Sequence, residues 1–311
     1  MPCQLLKIVS LAMLVSGCSV TLHGTESVSH PFAGITYIVR AERSPRPLTM
    51  HIVKVDLRAA GVHFAVTPPG GSLETVRSTT LDFLKREHAQ VAINAHFFLP
   101  FPSNSPDAKL IGLAVSDGRV YSAFEHPEQS FAIVNDAPAF NIDPSNHATI
   151  VHDDSRFSDG RHIKETVKLW NTVAGSAQIV TDGVSTIPVY KDVQHANGLL
   201  TAGGPKTFSN SNSWYEKLQA RTALGVSSDG HTLILFTVDK TGGSQGMRES
   251  EVAEMLIHDY GVYNAINLDG GGSTSMAMED PASHADALVN RSSDSAKGRS
   301  VGSNFAVFAR P

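Results

Sequence analysis

One stretch of this chain gathers the ingredients of a ligand site: Val262–Met278, VYNAINLDGGGSTSMAM. The carboxylate of Asp269 is followed directly by Gly270, Gly271 and Gly272, and then by the hydroxyls of Ser273, Thr274 and Ser275. Glycines let the backbone take φ > 0 and let a ligand approach the main chain closely. Successive amides in such a turn can form an anion-binding concavity. The apolar Val262, Ala265, Ile266 and Leu268 read as a buried strand, which puts Asp269 at a strand end. The plain alternative is a glycine-rich hairpin turn capped by Asp269, although a hairpin needs only two turn residues. No Lys follows the glycines as in a Walker loop, and no G-x-G-x-x-G opens a helix, so nucleotide cofactors do not fit here.

Other residues could supply the rest of a reaction. Asp239 closes the apolar run Leu233–Val238, so it also stands at a strand mouth. A pair of carboxylates is what glycosidic cleavage ordinarily uses, one moving a proton and one attacking or activating water. Asn94 and His96 lie two apart in the buried run Val91–Phe98 and so share a face of a strand. They either satisfy each other internally or face substrate. Arg221-Thr222 and Arg299 stand before strands, where a guanidinium fork can grip two oxygens of a phosphate; a surface salt bridge is the other reading for each. Gly242-Gly243-Ser244-Gln245-Gly246 is a literal G-x-S-x-G, with Asp269 and His284 following in serine-hydrolase order. Five residues separate Ser244 from the strand, however, and the upstream chain consists of hairpins rather than alternating strands and helices. The fourteen histidines are scattered, without H-E-x-x-H. No cofactor is required by the sequence. A divalent metal on Asp269 and neighbouring oxygens has no ligand spacing to support it, and the metal ligands stay unknown.

The elements that must position these residues are mostly strands. Asp117-Gly118, Asn135-Asp136, Asp182-Gly183 and Asp229-Gly230 sit between apolar runs as hairpin turns. Thr79-x-x-Asp82 reads as a capping box opening a short helix. Glu249–Tyr260 reads as an amphipathic helix closed by Gly261. His147–Thr172 is polar and aperiodic, a long loop or insertion. Many strands with about two helices predict a single α+β domain of mixed and antiparallel sheets. The 311 residues are 41% hydrophobic and 18% charged with net charge −5, ordinary for a globular protein and without the basic footprint of a nucleic-acid binder.

Both cysteines, Cys3 and Cys18, fall in the first eighteen residues, so the body carries no thiol chemistry. Lys7, the short apolar Ile8–Val15 and Val15-Ser16-Gly17-Cys18 form the pattern of a bacterial lipoprotein signal, cleaved before a lipidated Cys18. This divides the chain into a signal over 1–18, a polar tether over 19–34 and a domain over 35–311. Ser19 after Cys18 favours the outer membrane in a Gram-negative host, with the body on its periplasmic face. A plain signal peptide with a chance Cys is the alternative.

Ile93–Phe98 (INAHFF), Gly203–Pro205, Arg221–Val226 (RTALGV), Leu233–Asp239, Asn267–Met276 (NLDGGGSTSM), Asn290 and Arg299-Ser300-Val301 occur in the order found in the phosphodiester glycosidase domain family, which the chain resembles over roughly Ile35–Arg310. The resemblance implies hydrolysis of a sugar-1-phosphodiester, of the N-acetylglucosamine-1-phosphodiester kind, at its glycosidic bond. On that reading Asp269 is nucleophile or base, and Asp239 and His96 compete for the second catalytic role. Asn94, Arg221, Thr222, Gly270–Gly272, Ser273, Thr274 and Arg299 would contact substrate. Ala95-His96 stands where the family has glycine, and Lys240 follows Asp239 where glycine is frequent. A non-catalytic envelope module that binds anionic glycans is the rival from another class. Oligomeric state is not legible.

Overall fold

The computed structural model describes residues 24–125, 127 and 130–310. The expected lipoprotein signal, with Cys3 and Cys18, lies outside the described residues. No helix among the described residues is long and apolar enough to cross a membrane.

The largest sheet has eight strands in the order Thr25–Phe32, Ile35–Glu42, Leu48–Asp56, Thr232–Val238, Arg221–Ser227, Val262–Asn267, Ala177–Thr181 and Val184–Ser185. Its ladders are antiparallel throughout. Its middle strands are buried on both faces, which explains their continuous apolar runs. Along Thr232–Val238, Leu233 and Leu235 enter one core while Ile234, Phe236 and Val238 enter another, the period of two that a pleated strand imposes.

On the first face, the sheet packs against two five-stranded antiparallel sheets. One has the order Asp286–Leu288, Met276–Glu279, Val91–Asn94, Asn304–Phe308, His63–Val66; the other contains Ala139–Ile142 and Asn171–Ala174. Phe305, Ile93, Phe140 and Val173 meet Leu224, Leu235 and Ile266 there. On the second face lies helix α2, Glu249–Tyr260, whose Val252, Ala253 and Leu256 cover Met50, Ile52 and Phe236. Helix α1, Thr80–Glu87, covers the outer face of the sheet holding Val91–Asn94, through Phe83 and Leu84 against Ala92, Ala277 and Ala306. The α+β reading with few helices therefore holds, with the main sheets antiparallel.

Local signals translated directly. Thr79 caps α1, its hydroxyl accepting from the Asp82 amide, and Gly261 closes α2 in the left-handed region. The turns at Asp117-Gly118, Asp182-Gly183 and Asp229-Gly230 join paired strands. Three expectations need correction. The polar tether over 19–34 contains the edge strand Thr25–Phe32, paired in register with Ile35–Glu42; most of its side chains face solvent, so no apolar alternation marks it. Asn135-Asp136 is not a hairpin turn: 130–137 are irregular, and Ala139–Ile142 pairs instead with Ala148–Val151. The expected loop over 147–172 begins with that strand, Ala148–Val151.

Candidate active site

Asp269 stands where three strands are stitched together. Val262–Asn267 ends, and the Leu268 amide donates to the Thr222 carbonyl at 2.8 Å. The Asp269 amide donates to the Ala95 carbonyl at 3.0 Å, and Asn94 Nδ2 donates to the Asp269 carbonyl at 2.6 Å. Asn94 Oδ1 in turn accepts from Thr222 Oγ1 at 2.9 Å and from the Ser275 amide at 3.0 Å. Asn94 and Thr222 are fully buried. Their work is to grip the main chain on both sides of Asp269, rather than to contact substrate.

The glycines then make one 3₁₀ turn, Gly271–Ser273. The Gly271 amide donates to the Ala220 carbonyl at 2.8 Å, and the Ser273 and Thr274 amides close the turn on Gly270 and Gly271 at 3.2 Å each. These three amides are used within the protein, and the Gly270 amide serves the Asp269 carboxyl. Glycine is favoured here for other reasons. Gly271 has φ +60, which side chains disfavour. A Cβ on Gly272 would lie 2.2 Å from Arg299 Nη2, so Gly272 makes room for a guanidinium.

The Asp269 carboxyl faces the floor of a cleft of about 350 Å³. It accepts from the Ser273 hydroxyl and the Gly270 amide, and Arg299 lies nearby; burial outweighs all three and pushes its pKa up to about 7. Part of the residue stays open to the cleft. Arg299 forms one wall. Its Nε and Nη2 donate to Asp294 Oδ1 at 3.0 and 2.6 Å, and Nη1 donates to Ser273 Oγ at 3.3 Å. A guanidinium has five N–H donors, so two remain beyond these three contacts. The remaining lining is largely aromatic: Phe97, Phe98, Phe101, Phe131 and Trp214. Phe97 and Trp214 meet edge to face with ring centroids 6.1 Å apart. Asp269 is the one acidic side chain among the residues lining this cleft.

The other sequence candidates lie elsewhere. Asp239 does not line the cleft. It is 1% exposed, and its carboxylate accepts from Asn290 Nδ2 at 3.2 Å and from the Arg291 amide at 3.1 Å on each oxygen. His51 Nε2 lies 3.7 Å away. His96 is fully buried. Its Nδ1 meets Ser303 Oγ at 2.6 Å and its Nε2 accepts from the Ala174 amide at 2.9 Å. Burial lowers its pKa to about 4, so it is a neutral cross-link between sheets.

Arg221 is likewise fully buried, 2.8 Å from Glu249 at the start of α2. Its Nη2 donates to the carbonyls of Trp214 and Lys217 at 3.1 and 2.6 Å, and its guanidinium lies 4.6 Å from the Trp214 ring centroid. No face is free for phosphate; Arg221 instead carries the segment that brings Trp214 to the cleft. Burial raises Glu249 to about 7 against the pull of Arg221.

Thr274 is buried under Thr222. Ser244 Oγ donates to the Asp239 carbonyl at 2.6 Å and accepts from the Thr49 amide at 3.0 Å. His284 pairs with Glu279 on the surface. The serine-hydrolase arrangement is therefore not assembled. Among the described residues, no three His, Cys, Asp or Glu side chains converge as a metal site would require.

The sequence reading missed the aromatic walls. Their signals were faint: adjacent Phe97-Phe98 after the Asn94 strand, Trp214 in a polar loop, and Phe131 in a stretch read as a hairpin. Gln219, at the cleft, receives Lys240 Nζ at 3.2 Å, so the lysine in place of a frequent glycine braces a cleft residue.

A model of the phosphodiester glycosidase family matches residues 87–308. The chain belongs to that family. The matched span holds every residue lining the Asp269 cleft.

The phosphodiester glycosidase fold is shared with three solved structures. The catalytic domain of zebrafish N-acetylglucosamine-1-phosphodiester α-N-acetylglucosaminidase, auto-inhibited by its pro-peptide, is 21% identical with a TM-score of 0.57, covering 93% of this chain and 89% of that one. An exported protein of Burkholderia pseudomallei is 15% identical with a TM-score of 0.61, covering 96% and 100%. A Synechocystis protein without assigned function is 16% identical with a TM-score of 0.60; the match covers 89% of this chain but only 62% of that protein. No curated protein sequence gives a significant match.

Proposed function

We propose that this phosphodiester glycosidase family member hydrolyses the glycosidic bond of a sugar-1-phosphodiester, with Asp269 as its working carboxylate and Arg299 receiving the phosphate. The observation that carries this reading is a lone carboxylate, raised to about 7, beside a partly free arginine in an aromatic cleft. Ordinary glycosidases need a second carboxyl group, because the departing alkoxide must be protonated. A phosphate monoester is a far better leaving group, stable as an anion once its charge is met. One carboxylate and one arginine then suffice, and Asp239 is not needed in the cleft.

The glycosyl ring would lie against Phe97 and Trp214, with its anomeric carbon toward Asp269. Ionised Asp269 attacks that carbon, or takes a proton from the water that does. The C1–O bond breaks, its electrons pass to the phosphate oxygen at Arg299, and water supplies the hydroxyl on C1. The anomer released separates the two routes, retained for direct attack and inverted for activated water.

The deciding experiment is turnover of an N-acetylglucosamine-1-phosphate methyl diester by the wild type and by Asp269→Asn, followed by release of sugar and of methyl phosphate. Tight binding of the diester by both without turnover would replace the enzyme with a glycan-binding module. Lipid attachment at Cys18, with a periplasmic position at the outer membrane, belongs to the same proposal. Its support is the Val15–Cys18 pattern, and membrane partition of the Cys18→Ala protein tests it.

A further inference from the structure

A second cavity, of about 410 Å³, shares no lining residue with the Asp269 cleft. It lies where the loop before Thr75–Val76 faces Arg119–Ser122, the edge strand of a five-stranded sheet. The loop is fixed at several points. Tyr121 Oη donates to the Thr67 carbonyl at 2.7 Å, and the Gly70 amide donates to the Glu74 carbonyl at 2.9 Å. Between them, the Ser72 amide and hydroxyl both donate to Asp107. Gly71 has φ +72, and a Cβ there would lie 2.3 Å from Asp107 Oδ1, so glycine lets the loop rest against that carboxylate. Two arginines line the cavity, Arg119 from the strand and Arg161 from the segment after Ala148–Val151. Among the described residues, neither guanidinium has a hydrogen-bond or ion-pair partner. Glu74 lines the same cavity but does not answer them. Its carboxyl accepts from the Leu110 amide at 2.6 Å and from the Ser122 hydroxyl, and the cation near it is Lys109.

Two unpaired guanidiniums at one cavity make an oxyanion site, because the planar fork matches the paired oxygens of a phosphate or a carboxylate. A bare anion would meet the Glu74 carboxylate as well. A ligand with hydroxyls beside its charge turns that carboxylate to use: Glu74 has acceptor capacity beyond Leu110 and Ser122 and takes hydroxyl hydrogens. Gly70 and Gly71 add bare backbone, and Tyr121 an aromatic side chain, to the lining. The volume falls in the range of small-molecule sites, about 300–1,000 Å³. We infer that this cavity binds an acidic sugar, a ring bearing a phosphate or carboxylate, with Arg119 and Arg161 at its charge and Glu74 at its hydroxyls. The site is separate from the Asp269 cleft and stands whether or not the chain is a glycosidase. It would fix the protein on an anionic glycan without occupying the cleft.

The test is calorimetry with glucose 6-phosphate, glucuronate, glucose and inorganic phosphate. It is run on the Arg299→Met protein, so that the cleft arginine takes no phosphate. One of the two acidic sugars should bind at a single site about tenfold or more tighter than glucose or inorganic phosphate, and whichever binds better names the charged group. Arg119→Gln and Arg161→Gln should each weaken that binding about 3- to 10-fold and together abolish it. Thermal midpoints should not move, because neither side chain has a partner to lose. Added salt should weaken the binding as well. No binding, binding that the double variant keeps, or glucose binding as tightly as both acidic sugars overturns the site. Inorganic phosphate binding as tightly as both overturns its sugar occupant. Turnover of the methyl diester by Arg119→Gln/Arg161→Gln with Arg299 intact should equal that of the wild type; a loss would place the two arginines in the reaction and overturn a separate site. If no diester is turned over, the glycosidase reading has failed on its own and the calorimetry alone decides.

Discussion

Asp239 and Asp269 occupy equivalent places in the chain, each just past the end of a strand in the large sheet, with Arg221–Ser227 running between those strands. Their fates differ. Asp239 receives Asn290 and the Arg291 amide and is closed off from water. Asp269 receives a hydroxyl and one amide, too little to offset burial, and keeps its remaining face on the cleft. Arg221 and Arg299 repeat the contrast: the first spends its fork on Glu249 and three carbonyls, while the second keeps two hydrogens. A strand end sets where a charged group stands. Whether it can react depends on how completely the protein answers it.

The largest expected effect follows from that difference. Asp269→Asn should lower kcat/KM on the diester by about 10³- to 10⁵-fold, each decade costing ~1.4 kcal/mol of barrier stabilisation. It should also stabilise the fold in alkali. The folded pKa of Asp269 lies above its unfolded value, so the favourable contribution is complete below about pH 4 and is lost as pH rises through about 7. Thermal midpoints of wild type and Asp269→Asn should therefore agree near pH 4 and separate by pH 8, with the variant higher. Asp239→Asn should do the reverse, lowering the midpoint through ~1–3 kcal/mol of lost charged hydrogen bonds while turnover per folded molecule survives. Loss of turnover with an unchanged midpoint in Asp239→Asn would break the comparison.

The arginines come next. Arg299→Met should reduce kcat/KM on the diester by about 10²- to 10³-fold, since a charged hydrogen bond contributes roughly 1.5–3 kcal/mol or more where phosphate departs. An aryl glycoside without phosphate, slow on the wild type, should be indifferent to that change. Arg221→Met should instead destabilise by ~3–5 kcal/mol, because Glu249 is left buried without its partner. Calorimetry or denaturant unfolding measures that loss. Trp214 fluorescence should report movement of the 214–217 segment, with KM rising more than kcat falls. Gly272→Ala is subtler: the backbone can hold it, but the added carbon displaces Arg299. A roughly tenfold rise in KM for the diester alone is expected, ~1.4 kcal/mol.

For pH, ionised Asp269 must act, so kcat/KM on the methyl diester should rise through about 7 and then level. An activity that falls on raising pH from 6 to 8 would reverse its role to that of an acid. The smallest effect belongs to Ser244→Ala. Turnover should stay within about twofold, with ~1 kcal/mol of stability lost as the Asp239 and Thr49 bonds go. Labelling of Ser244 by a fluorophosphonate would contradict this.

What the sequence disclosed was local. The helix Glu249–Tyr260, its closing glycine and the Asp-Gly turns are each specified within a few residues. Asp269 was legible because its glycines and hydroxyls follow it directly. The roles of Asp239, Arg221 and His96 were not, because the groups that occupy them are Asn290, Glu249 and Ser303, distant in the chain and brought near only by sheet packing. The use of the Gly271 amide was hidden for the same reason: it goes to the Ala220 carbonyl, fifty residues upstream. The edge strand Thr25–Phe32 was hidden by its own exposure.

Asn94 and Ala95 hold Asp269 by its main chain and leave the carboxyl outside that grip. Exchanging the side chain therefore leaves its mounting untouched. The Asp269→Asn protein should fold, keep its aromatic walls and Arg299 in place, and retain uncleaved diester. Immobilised and exposed to envelope extracts, it becomes bait, and the molecule it draws out would carry the identity of the natural substrate in its mass.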